Sequence, residues 1–249
     1  MTIKREREYE RRRYEKWQQR QAQAKARRTR QRWIAGSIVA ALVLVIGVSA
    51  LVLLNEDDST PDASATPSAT DPATNSAEVP DPSLAQGRTW TGGITLTQGD
   101  LGIELDGAAA PQAVANFVTL AGDGFFDQTK CHRLTTEGIF VLQCGDPEGT
   151  GSGGPGYSWG PIENAPADNV YPAGTIAMAR QGGNGSSMGS QFFIVYEDST
   201  IPADTAGGYT VFGHLTSGLD VVQAIADAGT TEGTESPVSD VIIEGVNIQ

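Results

Sequence analysis

Past residue 33 the chain carries only four basic side chains, Arg88, Lys130, Arg133 and Arg180, against 26 Asp or Glu. Arg133 stands in the run Cys131-His132-Arg133-Leu134, ten residues before Gln143, which Cys144 follows. A guanidinium keeps its charge and presents several N–H donors in a fixed fork, so its natural chemistry is electrostatic: it steadies electron density on an oxygen or nitrogen. The plainer alternative is an arginine satisfying one of the many surface carboxylates. Cys131 and Cys144 are the only cysteines. An even pair outside a membrane permits a disulfide, with two free thiols as the alternative. Zinc is disfavoured, because two Cys with His132 and His214 lack a recognised ligand spacing. Gly149 to Gly156 is glycine-rich, but no Gly-Lys-Ser/Thr follows, which argues against a phosphate-binding loop.

The charge is unevenly placed. Residues 1–33 hold 13 of the 17 Lys and Arg and four acids, a balance of +9, and the remainder carries −22. Such a split suggests two compartments with different electrostatic surroundings. Between them residues 34–54 form an uncharged, almost wholly apolar run. At 1.5 Å per residue it spans roughly 30 Å, enough for one transmembrane helix. A cleaved signal peptide fits less well, since its apolar core is usually about 7–15 residues and here apolar chain continues past Val48-Ser49-Ala50. Arg27, Arg28, Arg30 and Arg32 directly precede the span and place the N-terminus in the cytoplasm and the bulk outside the plasma membrane. The basic tail lacks an apolar stripe and reads as a topology signal that touches anionic lipid; no nucleic-acid partner is expected. Residues 55–88 are rich in Pro, Ala, Ser, Thr and Asp, without hydrophobic periodicity, and read as a disordered tether. Its root-mean-square reach would be roughly 30 Å.

Residues 89–249 suffice for one core. Ile94 and Leu96, then Leu101, Ile103 and Leu105, alternate with polar or small residues about Gln98-Gly99-Asp100, which predicts a hairpin with one buried face. Further strands are expected at 139–143, 175–179, 192–196, 209–212 and 241–248. Two stretches have helical spacing instead: Pro111 followed by Val114, Phe117, Val118 and Ala121, stopped by Gly122, and Leu219, Val222, Ile225 and Ala226, closed by Gly229. Many strands with two helices suggest a closed antiparallel barrel with helices packed on it.

Three blocks then carry a family likeness: Cys131 to Leu134 with Phe140 to Asp146, Gly189-Ser190-Gln191-Phe192-Phe193, and Tyr209-Thr210-Val211-Phe212-Gly213. In order and spacing they resemble the cyclophilin-type peptidyl-prolyl isomerases, over about Thr91 to Gln249. The resemblance implies a mainly-β fold, a closed eight-stranded barrel with a helix covering each end. It implies a catalytic role for Arg133, a proline pocket of Phe140, Val141 and Phe193, and substrate contacts from Gln143, Gln191 and Tyr209. Phe192 alternates with Phe193 and is expected in the core. Val141 stands where a pocket Met is usual, Tyr209 where a His often lies, and the Trp that contacts cyclosporin is replaced near Ile201, within a rewritten Ser199 to Gly208 loop. Weak cyclosporin binding is the expectation. The implied hairpin also brings Cys131 opposite Cys144, which favours the disulfide.

The implied reaction is rotation about the Xaa-Pro bond, whose barrier is about 18–20 kcal/mol. It needs no nucleophile, metal or organic cofactor, only an apolar grip on the ring and a donor that favours the twisted, localised amide. The expected protein is thus a monomeric, membrane-tethered prolyl isomerase acting on unfolded or proline-containing polypeptides outside the membrane. A second reading is a chaperone or scaffold module that binds proline segments with little turnover. A third, resting on charge alone, is an acidic surface for cationic partners.

Overall fold

The computed structural model describes residues 78–249. The basic tail, the apolar span 34–54 and the tether up to residue 77 lie outside the described residues. Among the described residues no helix is long and apolar enough to cross a membrane.

Alternation builds the first hairpin as expected. β1 (Thr89–Leu96) and β2 (Gly99–Asp106) pair in register from Thr89↔Asp106 to Leu96↔Gly99. Ile94, Leu96, Leu101, Ile103 and Leu105 all face inward and are buried. The remaining strands are β3 (Thr129–Lys130), β4 (Arg133–Glu137), β5 (Ile139–Cys144), β6 (Val170–Tyr171), β7 (Thr175–Met178), β8 (Phe192–Val195), β9 (Ser199–Thr200), β10 (Val211–Ser217) and β11 (Ile242–Ile248). Nine of the eleven strands form one antiparallel sheet in the order β3-β11-β1-β2-β10-β7-β8-β5-β4, and β6 pairs with β9 in a separate ribbon.

Of the mainly-β barrel expected from the resemblance, the strand pairing shows one curled nine-stranded sheet. Its two outermost strands, β3 and β4, are separated in the chain only by Cys131 and His132. There the backbone changes partners: Cys131 N donates to Val241 O beside β11, whereas His132 N donates to Gln143 O on β5. One stretch of chain thus serves both ends of the sheet.

Two helices cover the core. α1 (Pro111–Gly122) begins with proline, whose missing N–H costs nothing at a first turn, and buries Val114, Phe117, Leu120 and Ala121. Its N-cap, Ala110, offers no side-chain acceptor. Glu163 supplies one from 50 residues away, accepting from the backbone N–H groups of Gln112 and Ala113, each at 3.0 Å. α2 (Leu219–Asp227) buries Val222 and Ile225 and ends before Gly229, which sits at φ +85°. The rings of Phe117, Phe126, Phe192 and Phe212 meet in the core, with Phe117 4.9–5.4 Å from the other three.

The fold begins before the expected boundary at residue 89. Pro82–Ala85 form a 3₁₀ turn capped by the Asp81 carboxylate. Gln112 donates to Pro80 O, and Trp90 Nε1 donates to Ala85 O. Burial of Ala85 fixes this segment against α1, although its Pro/Ser/Ala composition looks like linker.

Candidate functional site

The register of the sheet gathers the candidate residues. Arg133 lies opposite Gln143, Gln143 opposite Phe193, Phe193 opposite Ala177, and Ala177 opposite Val211. Residues directly paired across antiparallel strands project from the same face, so these five form a row across β4, β5, β8, β7 and β10. The neighbouring row, Leu134, Leu142, Ile194 and Ile176, projects from the opposite face into the core. A period of two therefore separates a site face from a core face along the same strands.

On the site face an apolar floor forms from Val141, Ala177, Phe193, Val195, Tyr171 and Ile201, with Tyr209 and Val211 packed at its edge. Phe193 meets Tyr209 edge-on at 5.5 Å. Phe192 is fully buried in the core and Phe193 is 5 % exposed in this second cluster, which separates the two rings as alternation requires.

Phe140 sits apart from the Val141 and Phe193 cluster. It immediately precedes Val141 on β5, so the two side chains leave opposite faces of the strand. Its ring packs against the main core and meets Tyr196 at 5.9 Å, rather than joining Phe193 and Val141. Val141, Phe193 and Tyr209 thus gather in one cluster, and Phe140 borders the other.

A chain of donors runs beside that floor. Arg133 Nη1 donates to Gln143 Oε1 (3.4 Å), Gln143 Nε2 to Gln191 Oε1 (2.8 Å), and Gln191 Nε2 to the Gly153 carbonyl (2.9 Å). Gly153 N in turn donates to Asp146 Oδ2 at 3.0 Å. Asp146 is fully buried and also accepts from Glu148 N, Thr150 N and Thr150 Oγ1, so one carboxylate shapes the glycine-rich loop. Burial works to raise that carboxyl, but these hydrogen bonds outweigh it and hold it below the ordinary aspartate value. His132, between the disulfide and Arg133, is held below the usual imidazole range chiefly by burial. Neither of its ring nitrogens has a hydrogen-bond partner.

Cys131 and Cys144 form a disulfide, with Cα atoms 4.0 Å apart. It links the β3–β4 junction to the end of β5, immediately beside Gln143. Gly145, which follows, sits at φ +86°, and a Cβ there would collide with the Ser190 carbonyl. Only glycine lets β5 and β8 converge at this point.

Two features escaped the sequence. The Arg180 side chain is buried and uses its whole guanidinium: it pairs with both oxygens of Asp204 at 2.8 and 3.0 Å and donates to the carbonyls of Gly207, Gly208 and Gln181. Its plane also lies over the Tyr209 ring, 4.6 Å from the centroid. Arg180 thereby fixes the rewritten loop and the tyrosine at the edge of the apolar floor. The second is Glu235, which accepts from Arg133 Nε at 2.6 Å and Nη2 at 3.4 Å. These partners lie 24 and 102 residues apart, and no local spacing announces them.

Among the described residues no group of three or more His, Cys, Asp or Glu is placed to hold a metal ion. Nor does the site pair a nucleophile with a base. The curled antiparallel sheet sets an apolar floor beside a guanidinium and two amides, an arrangement chemically suited to gripping a side chain and its flanking amides. The comparisons with known proteins name the family. The family model described as "Cyclophilin type peptidyl-prolyl cis-trans isomerase/CLD" matches residues 92–248, and the chain belongs to that family.

Among its relatives are a probable peptidyl-prolyl cis-trans isomerase B of Mycobacterium leprae, 41% identical over 64% of this chain and 57% of that protein, and its Mycobacterium tuberculosis counterpart, 43% identical over 61% and 52%. The chain thus spans about half the length of these relatives. Peptidyl-prolyl cis-trans isomerase B of Bacillus subtilis is 41% identical over 55% of this chain and 91% of that protein. The solved structure of a Cryptosporidium parvum cyclophilin type peptidyl-prolyl cis-trans isomerase is similar with a TM-score of 0.57 at 29% identity, covering 65% of this chain and 98% of that one.

Proposed function

We propose that the chain is a peptidyl-prolyl cis-trans isomerase, tethered to the plasma membrane by residues 34–54 and acting outside it on unfolded or proline-containing polypeptides. The observation that carries the activity is the register row Arg133–Gln143–Phe193, which sets a charged donor, a backbone-binding amide and an aromatic floor side by side on one face. Family membership and the names of its relatives support the same reading.

In this mechanism the proline ring rests on Phe193, flanked by Val141 and Tyr209, while Gln143 and Gln191 hold the peptide backbone. Arg133 then donates to the prolyl amide. As the bond twists, delocalisation is lost and electron density returns to nitrogen; a donor that gains strength only in that form lowers the barrier. Each factor of ten in rate requires about 1.4 kcal/mol of such differential stabilisation. Membrane anchoring is supported by the apolar run and its arginine flank. Weak cyclosporin binding follows from Ile201, which is buried in the floor and offers no exposed ring.

The test uses the full chain in mild detergent and a Xaa-Pro peptide, followed by exchange spectroscopy. Wild type is expected to accelerate isomerisation, and Arg133→Ala to lose on the order of a hundredfold. Equal rates for both proteins would overturn the assignment of Arg133, and binding without acceleration by wild type would favour the chaperone or scaffold reading.

A further inference from the structure

Arg133 is not free to turn toward a substrate unaided. Its strand, running from β3 into β4, is held along one side by the segment 228–241 between α2 and β11. Cys131 N donates to Val241 O (2.8 Å), Leu134 N to Glu235 O (2.6 Å), and Ser236 Oγ to His132 O (3.4 Å). Lys130 forms an ion pair with Asp240 of the same segment. The segment is itself folded back: Thr231 N donates to Ser236 O and Val238 N to Gly229 O, at 2.9 and 3.0 Å, around a turn in which Thr234 N donates to Thr231 O.

Glu235 is therefore fixed at its backbone to the residue that follows Arg133. Its carboxylate then grips one edge of the guanidinium, at Nε and Nη2, while Gln143 Oε1 takes Nη1. An arginine has five N–H donors. With three engaged, one remains on each terminal nitrogen, and the two engaged sides fix the plane in which those remaining donors lie.

We propose that Glu235 is a positioning residue for prolyl isomerisation: it locks the Arg133 guanidinium in the plane from which the free donors meet the substrate amide. The proposal rests on the reading of Arg133 as the catalytic donor. An ion pair this exposed, with side chains 36% and 60% accessible, adds little to stability. Its effect lies in orientation, since a long arginine otherwise samples many rotamers and a displaced donor loses most of its advantage in the transition state. The backbone anchoring of Glu235 removes much of the entropy cost of holding the pair.

The experiment compares wild type, Glu235→Ala, Glu235→Gln, Arg133→Ala and the double variant Arg133→Ala/Glu235→Ala, all as full-length protein. Rates, peptide affinity and melting temperature are read for each. Glu235→Ala should lower kcat on the order of tenfold with KM changed by less than about twofold, because ground-state binding rests on Gln143 and the floor. Glu235→Gln should recover part of the loss, since its amide oxygen still accepts from Nε. In the Arg133→Ala background Glu235→Ala should change nothing further. The proposal is overturned if Glu235→Ala matches or exceeds wild type, or if it costs the same factor with and without Arg133, which would mark a structural role. Should Arg133→Ala itself retain wild-type rate, the reading of Arg133 falls, and the positioning role with it.

Discussion

Phe192 and Phe193 are chemically identical neighbours on β8 whose surroundings give them different work. Phe192 meets Phe117 at 5.4 Å and Phe126 at 5.8 Å in the core, and Phe193 meets Tyr209 on the outer floor. Phe192→Leu should cost about 1–2 kcal/mol of stability with little change in rate once folded. Phe193→Leu should do the reverse, raising KM for a Xaa-Pro peptide more than it lowers the melting temperature. Equal effects from both changes would contradict the division of faces. Asp204 provides a pH test at the same scale. Its carboxyl is held well below the usual carboxylate range, first by the hydrogen bond from Arg180 and then by the N–H groups of Gly183 and Ala206. A depressed folded value means that the stabilisation is intact above about pH 4, where unfolded aspartate is ionised, and is lost as pH falls toward the folded value. Asp204→Asn should lower the melting temperature at neutral pH and flatten its decline in acid, as followed by circular dichroism. Arg133, Gln143 and Phe193 were legible because a short motif encodes their types and order. Arg180, Asp204 and Glu235 were not, because ion pairs between distant segments leave no periodic trace in either one.

At the scale of elements, strands and helices followed from periodicity wherever the pattern was long enough to repeat. β1, β2, α1 and α2 fall close to where alternation and helical spacing put them. The two-residue strands β3, β6 and β9 offer no repeat to read, and the turn at Pro82–Ala85 was hidden by linker-like composition although its burial is decided by α1. Glu163 shows the same limit, since a cap supplied across 50 residues cannot be read at the helix start. Burial raises its carboxyl, partly offset by the two N–H groups it accepts. The sign is thus opposite to that of Asp204: the folded state favours the protonated form below about pH 4, and that contribution is lost as pH rises through the raised value. Glu163→Ala would leave both helix donors unmet and should cost about 1–2 kcal/mol, read by urea unfolding. The Cys131–Cys144 bond spans 13 residues of chain and ties the β3–β4 junction to β5. Reduction should lower stability by about 3 kcal/mol, the cost expected for a loop of this length, and add the mass of two hydrogens. Unchanged unfolding midpoints in reductant, with that mass gain confirmed, would contradict it.

For the whole molecule, charge separates what the fold alone does not. Residues 78–249 carry four Lys or Arg against 21 Asp or Glu, whereas residues 1–33 have a balance of +9. Among the four basic residues of the folded part, Lys130, Arg133 and Arg180 are each paired with an acid, and Arg88 lies over the Trp90 ring at 3.6 Å. Its positive charge is thus committed within the fold, and its acidic surface is left to face solvent. An acidic domain gains nothing beside anionic lipid, while a basic tail gains about 1 kcal/mol per nearby Lys or Arg. The proposed topology satisfies both: the tail lies against the anionic inner leaflet and the isomerase domain stands outside on a tether of several tens of residues. Protease added to intact protoplasts should then release a soluble fragment beginning near Glu78 that retains isomerase activity, while an epitope placed at Met1 stays protected. Release only after lysis, or cleavage of the Met1 epitope in intact protoplasts, would reverse the assigned orientation.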